Sequence, residues 1–407
     1  MKKLLILGVG AQGSTVAKRM DEEPNVSELI VADCDEKAVN DLAAQLTKAK
    51  PVQIDATKKA NIVELAKDVD LIVNALPLPF GRMVQEVALE VKTNYQDFAL
   101  ADTSDMDWIE GAKMMLTETS ERFKAIGKTG LMSTGSAPGI ISMVTADAAN
   151  QLDECETIYN LVWEGCIAKR FLPFWWSPEV AYGDMSDTAV AYENGEIIET
   201  EPFSRPIWVK FKHVDEPVRL VEHAHDEPLE MGINADKYLK GAKNIYFKYG
   251  GAGVEFAEPL YRMGMLSKEP VELNGQMVVP RELVLQLNPP APKYHDDIKE
   301  ILDEGLVQDN GAMVIQAIGM KDGKKVMVES YVNSLGCVEA FEKSGLTGET
   351  YFTGQGGSLF TKMFVNNKIT EPGMFTPEML NAEQRKYYFD EAAKLEITVE
   401  TTITEVE

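Results

Sequence analysis

Gly8, Gly10 and Gly13 stand in the run Gly-Val-Gly-Ala-Gln-Gly, directly after the apolar stretch Lys3 to Leu7, and Asp33 follows twenty residues beyond the last of them. Residues of these types at these intervals can hold a dinucleotide. The first glycine permits a tight turn, the second lets backbone approach a pyrophosphate, and the third lets the next helix pack close to the strand. Free N–H groups at that helix start, through Ala11 and Gln12, would hold the phosphates. A carboxylate at Asp33 would accept bonds from both ribose hydroxyls and repel a 2′-phosphate, which favours NAD over NADP. Asp35, and the lack of Arg or Lys immediately after Asp33, add to that preference. The alternative for Asp33 is a solvated turn acid.

Such a turn works only between a strand and a helix, and the surrounding patterns predict both. Strands are predicted at Lys3 to Leu7, Glu28 to Ala32, Val52 to Ile54, Asp70 to Ala75, Asn94 to Phe98 and Leu131 to Ser133. Between them the periodicity predicts helices at Ser14 to Met20, Glu36 to Ala49, Ile62 to Lys67, Gly81 to Val91 and Lys113 to Ala125. This alternation specifies an α/β domain with a doubly wound parallel sheet of the Rossmann kind. It carries Asp55 and Ala56, Ala75, Leu76 and Pro77, and Asp97 to the carboxyl edge, where a cofactor binds.

The pattern changes after residue 139. Alternating runs at Thr157 to Trp163, Pro206 to Phe211, Asn244 to Tyr249 and Met313 to Met320, with an Asp322-Gly323 hairpin turn, predict a second, α+β domain with a mixed sheet over 140–350. Residues 351–407, with a helix at Ser358 to Val365 and another opening at Thr376-Pro377, are expected to return to the first domain. The segment Lys169 to Pro178 sets aromatics beside cations; Trp176 and Ser177 fit a pocket wall there, and Trp175 and Trp176 also fit core packing. Asp184 and Asp187 suit a helix cap. Arg205, Lys248 and Arg262 are candidates for holding a carboxylate, or are solvated.

Other chemistries are excluded or disfavoured. The four histidines and four cysteines show no metal-ligand spacing, so no metal is expected, and His223 and His225 read as a surface pair. Forty Lys and Arg against 65 Asp and Glu give a net charge of −25, which repels nucleic acid. No apolar run approaches the roughly 20 residues a membrane helix needs. The scattered cysteines and the glycine break at Gly8, where a signal peptide would continue, fit a cytoplasmic protein.

The order Leu5 to Gly13, Val31-Ala32-Asp33, Asn74 to Pro77, Tyr95-Gln96-Asp97 and Ala137-Pro138-Gly139 resembles the saccharopine dehydrogenase family in its wide sense. That family includes lysine epsilon-dehydrogenases, saccharopine reductases and carboxynorspermidine synthases. The resemblance continues through Trp176-Ser177-Pro178, Lys248 to Gly251, Leu273 to Arg281 and Thr353 to Glu378. It implies hydride transfer at a carbon bearing nitrogen, on an amino acid such as lysine, on another amine or on an imine conjugate, and assembly as a homodimer. It further implies Asp97 and Lys248 as catalytic residues, Trp176 and Ser177 as pocket wall, and Arg205, or Lys248, for a substrate carboxylate. Where many relatives have Arg-Tyr-Pro-Gly-His, this chain has Lys248-Tyr249-Gly250-Gly251-Ala252, and Ala137 replaces an aspartate usual in saccharopine reductases, which leans toward lysine dehydrogenases. Two alternatives stay open: a reductive synthase joining a keto acid or semialdehyde to an amine, and an inactive NAD(H)-binding regulator.

Overall fold

Leu4, Leu5, Ile6 and Leu7 are all buried, as a strand covered on both faces requires. They form most of β1 (Lys2–Leu7) in a computed structural model that describes residues 1–101 and 106–406. The chain divides into one unit of Met1–Asp147 with Thr350–Thr398, and a second of Ala148–Glu349 with Val399–Glu407. In the first, β1 pairs in parallel with β2 (Val26–Asp33), which pairs with β3 (Ala49–Gln53). On its other side lie β4 (Leu71–Asn74), β5 (Asn94–Asp97) and β6 (Thr129–Leu131), again parallel. The winding reverses between β1 and β4, so the carboxyl ends of those two strands flank the switch point of a doubly wound sheet.

A seventh strand, Gly373–Phe375, pairs in parallel with β6 at the sheet edge. It is three residues long, too short to show a period in sequence. The helix predicted over Glu36 to Ala49 stops at Ala43. The carboxylate of Asp21 accepts the Thr47 and Lys48 N–H groups at 3.0 and 2.7 Å and draws the chain away into β3. The helix predicted from Lys113 starts earlier, at Trp108, capped by Asp107, and runs through a wider turn at Met115–Thr119 to Ala125.

The helix predicted over Ser358 to Val365 begins at Gly348 instead. Glycine disfavours a helix interior by about 1 kcal/mol each, yet Gly354, Gly356 and Gly357 lie inside it for a packing reason. Cβ atoms there would come within 2.9 Å of Gln12 and Thr15, 2.7 Å of Ile140 and 2.2 Å of Phe98, respectively. These close approaches lock the helix against the elements that carry the glycine turn. Gln96 completes the joint, donating to the Gly357 carbonyl at 2.9 Å and accepting from Thr361 at 2.8 Å. Thr376 opens only a short 3-10 turn, and the following helix starts at Ala382, capped by Asn381.

The second unit is built on a mixed seven-stranded sheet. Its order is Glu196–Thr200, Ala189–Glu193, Asn244–Gly251, Glu154–Glu164, Gly311–Lys321, Lys324–Asn333 and Thr398–Glu405. In it Asn244–Gly251 and Glu154–Glu164 are parallel neighbours. The hairpin joining Gly311–Lys321 to Lys324–Asn333 turns through Asp322 and Gly323, both at positive φ, as the Asp-Gly pair predicts. Residues 399–405 leave the first unit and pair at the far edge of this sheet.

Candidate active site

The glycine turn is held together by backbone. Gly8, at φ +85°, donates to the Ala32 carbonyl at 2.8 Å, and a Cβ on it would lie 2.6 Å from the Ala75 carbonyl oxygen. A Cβ on Gly13 would lie 1.9 Å from the Gly8 oxygen. Both positions therefore exclude side chains. At Gly10 a Cβ would meet no protein atom within 4 Å, so what glycine keeps clear there is the outer side of the turn, where a pyrophosphate fits. Helix Ala11–Glu22 has no side-chain cap, which leaves its first-turn N–H groups for an anion. The Gln12 side-chain carbonyl is buried beside Gly354, and its backbone N–H lies in the first turn of the helix.

Asp33 is tied into the same turn. One carboxylate oxygen accepts the Val9 N–H at 2.8 Å and the other accepts the Asp35 N–H at 3.1 Å. The carboxylate is thus fixed at the end of β2, beside the glycines. Asp35, read as an adjunct to it, caps the helix Glu36–Ala43. Asp55 and Ala56 follow β3, where Asp55 accepts from the Thr57 N–H at 3.1 Å and pairs with Lys58 at 3.0 Å. Ala75 donates to Leu7 at 2.8 Å and begins the Ala75-Leu76-Pro77 exit from β4. Parallel topology puts all of these at one edge.

Asp97 ends β5 at that edge but is buried, and its carboxylate faces inward. It accepts from the Tyr95 hydroxyl and the Ser133 N–H, each at 2.8 Å, while its carbonyl accepts from Thr134. Ser133 sits at φ +60°, so Asp97 fixes a strained turn ahead of Gly135 to Gly139. These bonds hold the Asp97 carboxylate in place below the sheet edge.

In the second unit, the candidates separate by sheet face. Successive strand residues point to opposite sides, and Lys248 and Tyr249 do so. The Lys248 ammonium is buried and donates to Glu222 at 2.7 Å and to the Arg205 carbonyl at 2.9 Å. Arg205 pairs with the same Glu222 at 2.8 Å and with Glu193. Both cations read as carboxylate holders are therefore engaged by the protein's own carboxylates. The Ser177 hydroxyl accepts the Val180 N–H at 3.4 Å and caps helix Pro178–Asp184. Arg262 pairs with Glu258 at 2.6 Å, and Asp187 with Lys268 at 2.8 Å.

The opposite face holds a polar cluster that sequence reasoning missed. Trp176 donates to Glu164 at 3.0 Å, and the Tyr249 hydroxyl lies against the same carboxylate. His223 and His225, read as a surface pair, are turned inward instead, because residues 222–226 leave the sheet edge as a loop. The His225 ring stacks on Phe247 at 3.9 Å and its Nδ1 bonds Glu227, while His223 sits 4.7 Å from the Tyr249 ring. Asp184, read as a helix cap, closes the group from the end of Pro178–Asp184.

Protonation in this cluster is displaced in a consistent way. Burial, reinforced by Glu349, pushes the Glu164 carboxyl up to about 8, and burial pushes Asp184 up to about 7. For His225 burial opposes the charge, but Glu227, Asp184 and Asp226 outweigh it and hold the imidazole up at about 9. Burial, with the charge of His225, depresses His223 to about 3, so it stays neutral. Glu164, Asp184 and His225 all bind protons more tightly folded than unfolded. Their contribution to stability is full below the ordinary values of 4.5, 3.8 and 6.5, and is lost as pH rises through about 7 to 9. The urea midpoint should accordingly fall between about pH 5 and pH 9. Glu164→Gln should flatten that fall, and a midpoint that rises over this range would contradict the assignment.

Comparison with known proteins agrees with this architecture. The chain matches the family model described as saccharopine dehydrogenase NADP binding domain over residues 4–131, and that of the saccharopine dehydrogenase C-terminal domain over 135–396. It is 25% identical over 393 residues to carboxyaminopropylagmatine dehydrogenase of Synechocystis sp., covering 94% of each chain. It is 26% identical over 404 residues to carboxynorspermidine synthase of Vibrio alginolyticus, covering 93% of this chain and 92% of the relative. Its fold matches that of apo saccharopine dehydrogenase (L-Glu forming) from Saccharomyces cerevisiae, with a TM-score of 0.68, 16% identity, and coverage of 99% of this chain and 100% of the other. No helix among the described residues is long and apolar enough to cross a membrane. Two family models that together run from residue 4 to residue 396 place the chain in the saccharopine dehydrogenase family, as a nicotinamide-dinucleotide-dependent oxidoreductase acting at a carbon that bears nitrogen.

Proposed function

We propose that the chain uses NADH, in preference to NADPH, to join a carbonyl compound to an aliphatic amine as a carboxylated secondary amine, or to run that reaction in reverse. The observation that carries the cofactor preference is Asp33, a carboxylate bonded to Val9 of the glycine turn at 2.8 Å with Cys34 and Asp35 after it and no adjacent cation to receive a 2′-phosphate. The substrate class rests on the two relatives, whose names both denote carboxylated amines and which align over more than nine-tenths of this chain.

The dinucleotide, when bound, supplies or accepts a hydride. The chain's own residues do the rest: N–H groups of Ala11, Gln12 and Gly13 hold the pyrophosphate, Asp33 accepts from the ribose hydroxyls, and Asp97 keeps Ser133 and Tyr95 in place at the edge of the sheet. In the forward direction amine and carbonyl condense with loss of water, the former carbonyl carbon gains the hydride, and the nitrogen keeps a proton.

The test follows NADH oxidation with pairs of keto acids or semialdehydes and aliphatic amines. A carboxylate that bonds the ribose is worth roughly 1.5 to 3 kcal/mol, so NADH should bind about 10-fold to 100-fold more tightly than NADPH. Asp33→Ser should erase most of that difference by weakening NADH and relieving repulsion of NADPH. An unchanged ratio in the variant would remove Asp33 from cofactor selection, and uptake of neither dinucleotide would overturn the reading as a whole.

A further inference from the structure

The second unit contains carboxylates without a cation. Glu164 and Glu349 act on each other, both partly open to solvent, and neither forms an ion pair with Lys or Arg among the described residues. Glu349 Oε2 has no hydrogen-bond partner. The cation that acts on Glu164, His225, is itself bonded to Glu227. An independent observation points into the same place: the Tyr249 side chain is 5% exposed, and its hydroxyl lies against Glu164 without a well-aligned hydrogen-bond partner. Burying a polar group unsatisfied costs about 1 to 3 kcal/mol, so each of these atoms favours a ligand that donates to it.

The walls restrict what that ligand is. Trp176 and Tyr249 present aromatic surface beside the two carboxylates, a setting that favours an organic cation. No set of three His, Cys, Asp or Glu among the described residues is arranged for a metal ion. A terminal ammonium has three donors and no acceptor, matching acceptors on Glu164, Glu349 and Tyr249.

We propose that Glu164, Glu349, Tyr249 and Trp176 form the recognition site for a terminal cation of the amine substrate, an ammonium or guanidinium that does not react and lies at the far end of an aliphatic chain from the reacting nitrogen. The inference rests on the functional reading above and narrows its substrates to aliphatic di- or polycations. Bringing a cation beside Glu164, whose carboxyl burial holds up at about 8, also favours its ionised form, so binding releases a proton near neutral pH.

The experiment is calorimetric titration of 1,4-diaminobutane, agmatine and butylamine into the full chain, with and without saturating NADH. Both dications should bind at least tenfold more tightly than butylamine, the diamine reporting an ammonium and agmatine a guanidinium. Glu164→Gln and Glu349→Gln should each cut that preference at least fivefold while NADH binding, made in the other unit, is unchanged. Equal binding of all three amines, no amine binding, or a preference that survives both substitutions overturns the proposal. If NADH does not bind but the dication preference holds, the failure lies in the cofactor reading and not in this site.

Discussion

Gly10→Val should yield a protein as stable as the parent that no longer binds a dinucleotide. The position has φ −63° and ψ −167°, which any L-residue adopts, and a Cβ there meets nothing of the protein within 4 Å. Its stability should therefore stay within about 0.5 kcal/mol of the parent. A branched side chain on the outer side of the turn stands where the pyrophosphate must approach. Binding should weaken by about 100-fold or more, equivalent to roughly 2.7 kcal/mol. Gly13→Ala makes the informative contrast, because its Cβ would fall 1.9 Å from the Gly8 oxygen and force backbone to move. That variant should lose about 1 to 3 kcal/mol of stability as well as affinity. Fluorescence titration with NADH beside urea unfolding separates the two, and a Gly10→Val protein with parental affinity would show that the phosphates lie elsewhere.

The first unit was legible in the sequence because its signals are local. Four buried residues from Leu4 to Leu7, three glycines and Asp33 lie within the first 33 positions, and each acts on neighbours only a turn or a strand away. Where that reading failed, a distant partner overrode the local pattern. Asp21 ends a helix by taking the N–H groups of Thr47 and Lys48, and Gly354, Gly356 and Gly357 enter a helix interior because Thr15, Ile140 and Phe98 leave no room for a side chain.

The cluster in the second unit had no comparable trace. Glu164, Asp184, His225, Tyr249 and Glu349 span 164 to 349 in the chain and meet only because a mixed sheet and the loop after Val221 bring them together. One signal was present: on Glu154–Glu164 the positions Ile158, Asn160, Val162 and Glu164 share a face, and polar groups alternate there with apolar ones as they would toward a buried site. Ala252 leaves no imidazole after Gly251, yet an imidazole is present in space, since His223 lies 4.7 Å from the Tyr249 ring. Neighbouring in sequence also misled. Lys248 borders Tyr249, but strand parity sends it to the other face.

That parity sets the last expected result, a loss of stability in Glu222→Ala without a matching loss of chemistry in Lys248→Met. Glu222 is buried between the Lys248 ammonium at 2.7 Å and the Arg205 guanidinium at 2.8 Å. Removing it strands the Lys248 ammonium with the Arg205 carbonyl at 2.9 Å and the Tyr246 ring at 5.7 Å. Breaking a buried pair from one side typically costs about 3 to 5 kcal/mol, because the remaining charge keeps its desolvation penalty. Lys248→Met is milder: it keeps an unbranched chain of similar length in the site, and Glu222 retains Arg205. Turnover of Lys248→Met should stay within about threefold of the parent if the ammonium, already bonded to Glu222 and the Arg205 carbonyl, serves the fold and not the transition state. Urea unfolding of both variants, with kcat for Lys248→Met, distinguishes the two roles. A stable Lys248→Met protein slowed by more than about 100-fold would return the ammonium to the chemistry and leave Glu222 as the residue that tunes it.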